Sequence, residues 1–128
     1  KERYHMEDEY LGAHFLVLPS RQESWGRVVL EALECGTPVL TTREVGCAED
    51  LLEDGVSALI APFGDDTAMA DRLRRMVTDA DLRRRLEGAG RTAVSQFTFE
   101  WSVQEMLRFW SGMKNTRVQG VDSPRFLQ

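Results

Sequence analysis

The fold of this chain is decided by one stretch, residues 15–42, which reads FLVLPSRQESWGRVVLEALECGTPVLTT. A short apolar run begins the stretch and ends at Pro19, and a second apolar run follows Pro38. Short apolar runs without alternation are typical of parallel strands that are covered on both faces. Between them, GRVVLEALECG has the apolar spacing of a helix that begins near Gly26 and stops at Gly36. The stretch therefore predicts a strand–loop–helix–strand unit, which we expect to be right-handed.

The rest of the chain changes from short elements to long helices. The short elements are strands over residues 14–20, 37–42 and 57–62, and a helix over residues 48–53. Three longer helices follow, with N-caps expected at Asp65, Asp79 and Thr98. In the helix that begins near Gly26, the face of Val28, Ala32 and Cys35 is expected to be buried, with Val29 and Leu33 flanking it. This order predicts an α/β fold, a parallel sheet flanked by helices with a C-terminal helical extension.

The length of 128 residues suits one ordinary domain. We predict a domain over residues 1–114 and a tail over residues 115–128, where the helical period is lost. Three strands are few for an open sheet, which usually has about four to six. The domain is therefore expected to be incomplete at its N-terminus, with further strands before Lys1.

The composition excludes several classes of protein. A net charge of −5 argues against a nucleic-acid partner, because such proteins need a basic face to neutralise phosphates. No apolar run is long enough for a transmembrane helix, and the charged start KERYHMEDEY does not fit a signal peptide. Cys35 and Cys47 are expected to be free thiols in a reducing cytoplasm, since no metal-ligand spacing accompanies them.

Two glutamates flank the predicted helix start. Ligands of open α/β sheets bind beyond the carboxyl ends of the strands, so the loop over residues 21–26 is expected at the ligand edge. The first N–H groups of a helix favour an anion, and Gly26 lets a ligand approach the backbone. Glu31 is placed to accept hydrogen bonds from a ribose diol, and Glu23 from hydroxyls at the other end of the ligand. The pattern indicates a nucleoside diphosphate sugar.

Two alternatives use the same residues differently. A glycoside hydrolase with Glu23 and Glu31 as its acid–base pair needs carboxyl groups about 5–9.5 Å apart across one bond. Eight residues of continuous helix span about 12 Å, and an anion site between the carboxylates has no purpose in a hydrolase. The other alternative is a non-catalytic module that binds a nucleotide sugar or a partner protein.

The stretch resembles the donor-binding segment of retaining glycosyltransferases with two Rossmann-like domains, the GT-B enzymes of group 1, or glycosyltransferase family 4. The family pattern is Pro-Ser, two glutamates separated by seven residues, and a Gly-x-Pro-Val strand. In this chain the pattern stands as Pro19-Ser20, Glu23, Glu31 and Gly36-Thr37-Pro38-Val39. The resemblance extends over residues 10–110, and such an ordered set is far more specific than two spaced glutamates.

The resemblance implies a role for each site residue. Glu23 is the catalytic candidate and contacts hydroxyls of the donor sugar, and Glu31 binds the ribose. Transfer would retain the anomeric configuration without a metal or cofactor, because protein groups stabilise the leaving diphosphate. The diphosphate would be held by main-chain amides of Ser24, Trp25, Gly26 and Arg27.

The resemblance also implies parts that this chain lacks. The family's basic Arg–Lys pair and its acceptor domain lie upstream of the first glutamate, so the chain is expected to be a donor-binding C-terminal half, inactive alone. The missing half would bind the acceptor, a glycan or lipid-linked saccharide, and contact a membrane peripherally. The implied enzyme is a cytoplasmic hexosyltransferase of cell-envelope polysaccharide synthesis. The sequence departs from the family at residues 46–49, Gly-Cys-Ala-Glu, where Gly-Gly commonly precedes Pro-Glu, and at Arg27, which is usually apolar.

Overall fold

The structure, a computed structural model, describes residues 6–97 together with Val103, Leu107 and Ser111. The chain divides into two compact units, residues 1–96 and residues 97–128. The first unit holds the strands and helices named below, and the three single residues of the second are helical. The N-cap predicted at Thr98, the domain boundary predicted near residue 114 and the predicted tail lie outside the described residues.

Three parallel strands form the sheet of the first unit, in the order β1-β2-β3. The strands are β1 (Leu16–Leu18), β2 (Val39–Thr42) and β3 (Leu59–Ala61). Leu16 is paired with Val39, and Leu40 is paired with Leu59. All three strands lie inside the predicted ranges, and their parallel direction is confirmed. Their carboxyl ends consequently meet at one edge of the sheet, where α/β proteins bind ligands.

Five helices accompany the sheet within residues 6–97. They are α1 (Met6–Gly12), α2 (Arg27–Glu34), α3 (Gly46–Leu51), α4 (Asp66–Thr78) and α5 (Ala80–Ser95). The predicted N-caps of α4 and α5 are confirmed, because the carboxylates of Asp65 and Asp79 accept hydrogen bonds from backbone N–H groups three residues ahead. Helix α3 begins two residues earlier than predicted, and α1 was not predicted. Within the described residues, no helix combines the length and the apolar character that a membrane span requires.

Helix α2 buries a face that differs in part from the predicted one. Its buried side chains are Val29, Leu30, Ala32 and Leu33. Val28 is 39% exposed, so its predicted burial is wrong, and Cys35 is half-buried. Three consecutive apolar residues, 28–30, fit two neighbouring helix faces equally well. Packing against α5 selects the face that contains Leu33. This side chain lies so close to Gly90 of α5 that a Cβ atom on Gly90 would be 2.7 Å from Cδ2 of Leu33.

The core lies between the sheet and helices α4 and α5. It is a cluster of Leu40, Leu59, Met76, Leu82 and Leu86, each at most 1% exposed. Phe15 and Met69 pack against the cluster. Since Leu40 belongs to β2 and Leu59 to β3, the core fixes these two strands, and one of the two loops of the candidate site leaves from the carboxyl end of β2.

Candidate functional site

The candidate site begins where the chain leaves β1 and enters the loop over residues 19–26. Two hydroxyl groups of β2 hold this exit: Thr41 Oγ1 donates to the Leu18 carbonyl oxygen at 3.1 Å, and Thr42 Oγ1 donates to the Ser20 carbonyl oxygen at 2.5 Å. Both threonines are buried, and buried hydroxyl groups are almost always hydrogen-bonded. The two bonds therefore fix the direction in which the chain enters the loop.

Main-chain hydrogen bonds join this loop to the segment that follows β2. The Gly46 N–H donates to the Glu23 carbonyl oxygen at 3.0 Å, and the Cys47 N–H donates to the Trp25 carbonyl oxygen at 2.8 Å. A Cβ atom on Gly46 would lie 2.2 Å from a carbonyl oxygen of the loop, so a larger residue would have to move backbone. Gly46, the one glycine of the divergent segment 46–49, thus has a structural role at the candidate site.

Gly26 turns the loop into α2. It is the N-cap of the helix, with a left-handed φ of 90° and ψ of 52°, and no side chain caps the helix start. A Cβ atom at this position would lie 2.5 Å from Cγ1 of Val45 and 3.2 Å from Sγ of Cys47. The left-handed φ and the close packing against Val45 and Cys47 therefore both require a glycine here.

Glu31 lies in the second turn of α2, and both of its carboxylate oxygens have partners. Oε2 accepts a hydrogen bond from the Tyr10 hydroxyl at 3.1 Å, and Oε1 lies 3.0 Å from Nε of Arg27. The Arg27 side chain is 88% exposed, whereas that of Glu31 is 36% exposed. A cleft of ≈ 300 Å³ lies beside them, between α1 and α2, and Glu7 and Glu34 also line it. Among the described residues that line it, the charged side chains are therefore acidic apart from Arg27.

The predicted site residues fall into two groups. Residues 23–26 form the loop that the main chain locks in place, with Glu23 and Ser24 exposed and Trp25 half-buried. Arg27 and Glu31 form the second group, on the first two turns of α2. Glu23 does not line the cleft beside Glu31. The uncapped helix start stands between the two groups along the chain, which is the order expected for a ligand with an anion between two hydroxyl-bearing ends.

Burial governs the ionisation of three groups near the site. The pKa of Tyr10 is raised by burial first, and then by its hydrogen bond to Glu31 and the negative charge there. Burial raises the pKa of the Cys47 thiol to about 11. The pKa of Cys35 is also raised, by burial and then by the charge of Glu7. Tyr10 is consequently a protonated hydrogen-bond donor at neutral pH.

Tyr10 is the residue of this site that the sequence did not reveal. Its hydroxyl reaches Glu31, and its carbonyl oxygen accepts a hydrogen bond from Oγ1 of Thr37 at 2.6 Å. The run of acidic residues before it, Glu7 to Glu9, is a signal for a helix start that would have indicated α1. In the part of the chain that the structure describes, no three His, Cys, Asp or Glu side chains are grouped to hold a metal ion.

Comparison with known proteins gives a family match. The profile of the family described as "Glycosyl transferases group 1" matches residues 2–93. The D-inositol 3-phosphate glycosyltransferase of Thermobifida fusca is 37% identical over 98 residues, which are 77% of this chain and 22% of that protein. The protein of the same name from Corynebacterium jeikeium is 30% identical over 115 residues, which are 90% of this chain and 27% of that protein. The chain thus spans 22% and 27% of the length of these two curated relatives.

Solved structures give the same fold. Sucrose-phosphate synthase from Thermosynechococcus elongatus has a TM-score of 0.67 and 30% identity, covering 84% of this chain and 27% of that chain. HepE of Anabaena, solved in complex with UDP-glucose, has a TM-score of 0.72 and 23% identity, covering 86% and 30%. WaaG, a glycosyltransferase involved in lipopolysaccharide biosynthesis, has a TM-score of 0.59 and 28% identity, covering 73% and 25%. These similarities confirm the predicted α/β class, a parallel sheet flanked by helices, as in GT-B glycosyltransferases.

Proposed function

Because the chain belongs to the group 1 glycosyl transferases, we propose that residues 6–97 form the side of such an enzyme that binds the nucleotide sugar. The enzyme moves a sugar from a nucleoside diphosphate sugar to an acceptor, with retention of configuration. The observation that carries the proposal is the position of the loop over residues 23–26. Main-chain hydrogen bonds from Gly46 and Cys47 hold this loop at the carboxyl edge of the sheet, and the loop leads directly into α2. Glu31 is held one turn further along the same helix.

Each part of this arrangement suits one part of the ligand. The start of α2 has no side-chain cap, so its N–H groups and those of residues 24–27 suit a diphosphate. Glu31 suits the ribose diol, since each oxygen of a carboxylate can accept two hydrogen bonds. Glu23, exposed at the other end of the loop, suits hydroxyl groups of the transferred sugar and is the proposed catalytic residue.

The wider activity is proposed on the same basis. We expect a hexosyltransferase of family 4 that needs no metal or cofactor and that works in the cytoplasm on a glycan or lipid-linked saccharide of the cell envelope. The involvement of WaaG in lipopolysaccharide biosynthesis supports this class of acceptor. We also propose that the acceptor domain and any peripheral membrane contact belong to another part of the enzyme, and that this chain alone does not transfer sugar.

Nucleotide titration tests the proposal. The 128-residue chain would be titrated with UDP, ADP and GDP by calorimetry and by NMR shift perturbation, with magnesium and with EDTA. We expect saturable binding of one of them, equal in both buffers, and we expect Glu31→Ala to weaken it about tenfold or more, since a hydrogen bond to a charged group is worth about 1.5–3 kcal/mol.

Glu87→Ala is the matched control. Glu87 is also a helical glutamate, in an i,i+4 pair with Arg91, but it lies on α5. Its replacement should leave nucleotide affinity unchanged within twofold. Absence of saturable binding by all three nucleotides, or equal effects of the two variants, would refute the donor-site assignment.

A further inference from the structure

We infer that Tyr10 is a positioning residue for Glu31: its hydroxyl holds Oε2, so that Oε1 is presented to the ligand, and the ribose hydroxyls replace Arg27 as the partner of Oε1. The inference rests on the proposed function, because it assigns a geometry to the proposed ribose-binding carboxylate. The inference gives roles to the side chains of Tyr10 and Arg27, which have none in the proposed function.

Tyr10 is fixed firmly enough to orient another side chain. It is 5% exposed, and its carbonyl oxygen accepts hydrogen bonds from Oγ1 of Thr37 at 2.6 Å and from the N–H of Ala13 at 3.1 Å. Thr37 is itself buried, and its N–H donates to the carbonyl oxygen of Ala32 in α2 at 2.8 Å. Thr37 thus joins α1 to the helix that carries Glu31, so the Tyr10 hydroxyl has a defined position relative to that helix.

The two oxygens of Glu31 are held unequally. Oε2 is bound by a buried neutral donor, which stays protonated because burial and Glu31 itself raise the pKa of Tyr10. Oε1 is bound by Arg27, whose side chain is 88% exposed. Ion pairs at such exposed positions contribute little to stability, and water or a ligand exchanges with them readily. A ligand that approaches from the solvent-exposed side therefore replaces Arg27 and leaves Tyr10 in place.

Fixing the carboxylate in advance favours binding. A glutamate side chain loses rotamer freedom when a ligand immobilises it, and this loss opposes association. The hydrogen bond from Tyr10 restricts Glu31 before the ligand arrives, so less freedom is lost on binding. The benefit applies to ligands that contact Glu31 and is absent for ligands that do not.

The test compares two ligands in two proteins. The wild-type chain and Tyr10→Phe, which keeps the buried ring, would be titrated with the nucleotide that binds best and with its 2′,3′-dideoxy analogue. We expect Tyr10→Phe to weaken the ribose nucleotide about three- to tenfold, the range of one net hydrogen bond, and to leave the dideoxy analogue unchanged. Equal weakening of both ligands would indicate a purely structural role and overturn the inference, as would no weakening of either.

Glu31→Gln in the same titration separates this inference from the proposed function. If Glu31→Gln reduces the preference for the ribose nucleotide while Tyr10→Phe does not, the positioning role fails and the donor site stands. If wild type has no preference for the ribose nucleotide, both fail. Arg27→Ala should keep or increase the preference for the ribose nucleotide over the dideoxy analogue, because no ion pair must be broken, whereas the loss of a positive charge near the diphosphate affects both ligands alike. A smaller preference for the ribose nucleotide in Arg27→Ala would overturn the displacement of its side chain.

A ligand-independent measurement checks the contact itself. The phenol of Tyr10 would be titrated by ultraviolet absorbance in a Tyr4→Phe background, with and without Glu31→Gln. The pKa of Tyr10 should fall when the carboxylate is removed, and stay above its ordinary value because burial remains. An unchanged pKa would show that the hydroxyl does not bind Glu31.

Discussion

Gly26 packs against Val45 so closely that a Cβ atom at position 26 would lie 2.5 Å from Cγ1 of Val45. The two residues belong to the loops that follow β1 and β2, and the main chains of these loops are hydrogen-bonded to each other. The contact therefore couples the start of α2, where we propose that the diphosphate binds, to the start of α3. A change at Gly26 should affect both the stability of the unit and its affinity for nucleotide.

Gly26→Ala should lower the free energy of unfolding by about 2–4 kcal/mol, as the sum of an unfavourable positive φ and an overpacked contact. Gly64→Ala is the matched control, because Gly64 has a φ of 82° but nothing within 4 Å of its added Cβ atom. We expect this control to lose about 1 kcal/mol. Urea unfolding followed by circular dichroism measures both, and equal losses would mean that the Val45 contact relaxes without cost.

Two glycines of helix α5 should respond to alanine with opposite signs. Gly88 has nothing within 4 Å of an added Cβ atom, so Gly88→Ala should raise the free energy of unfolding by about 0.5–1 kcal/mol through helix propensity. A Cβ atom on Gly90 would lie 2.7 Å from Leu33 and 3.2 Å from the Ser57 carbonyl oxygen, so Gly90→Ala should lower it by about 1–3 kcal/mol. The same urea titration decides, and stabilisation by both variants would contradict the close packing of α5 on α2.

The two cysteines should differ in their reaction with iodoacetamide. Cys47 is 0% exposed and burial raises its pKa to about 11, whereas Cys35 is half-buried. Because the thiolate is the reactive form, Cys35 should be labelled first at pH 8 in the folded chain. Mass spectrometry of tryptic peptides measures the order, with the urea-unfolded chain as the reference in which both react alike. Faster labelling of Cys47 would contradict its burial.

The raised pKa of the Cys47 thiol also predicts that the folded chain loses stability at alkaline pH. Well below pH 9, the ordinary pKa of a thiol, the Cys47 thiol is protonated in the folded and unfolded chains, and the stabilisation from its raised pKa is fully present. Between pH 9 and about 11 the unfolded chain loses this proton first, so the free energy of unfolding should fall by about 2–3 kcal/mol in wild type. Tyr10 adds a decrease of the same sign above pH 10.

Cys47→Ala should remove most of that decrease between pH 9 and 11, and Cys35→Ala should remove less of it. Urea unfolding at pH 8, 9.5 and 11 provides the measurement. The comparison is between slopes against pH, so a uniform loss of stability in either variant does not affect it. A Cys47→Ala chain with the same slope as wild type would show that another group is responsible.

Local features of the sequence were enough to predict the strands of the sheet and several helix boundaries. Pro19 and Gly36 end elements through their own backbone preferences, and Asp65 and Asp79 cap helices through contacts three residues away. The site was located in the same way, since a loop between a strand and a helix must lie at the carboxyl edge of a parallel sheet. Whether Glu23 and Glu31 bind a donor stays a prediction.

Alone, the sequence determined the α/β class, the ranges that contain the three parallel strands and the position of the candidate site's loop, because these follow from local apolar patterns and from the parallel crossover that a helix between two strands makes. Only the tertiary structure decided which face of α2 is buried, what surrounds Gly26, and that Tyr10 binds Glu31. These depend on contacts between residues far apart in sequence, such as Tyr10 and Glu31, whose sequence separation is 21. Such contacts form only when packing brings separate elements together, and no local preference of either residue specifies its partner.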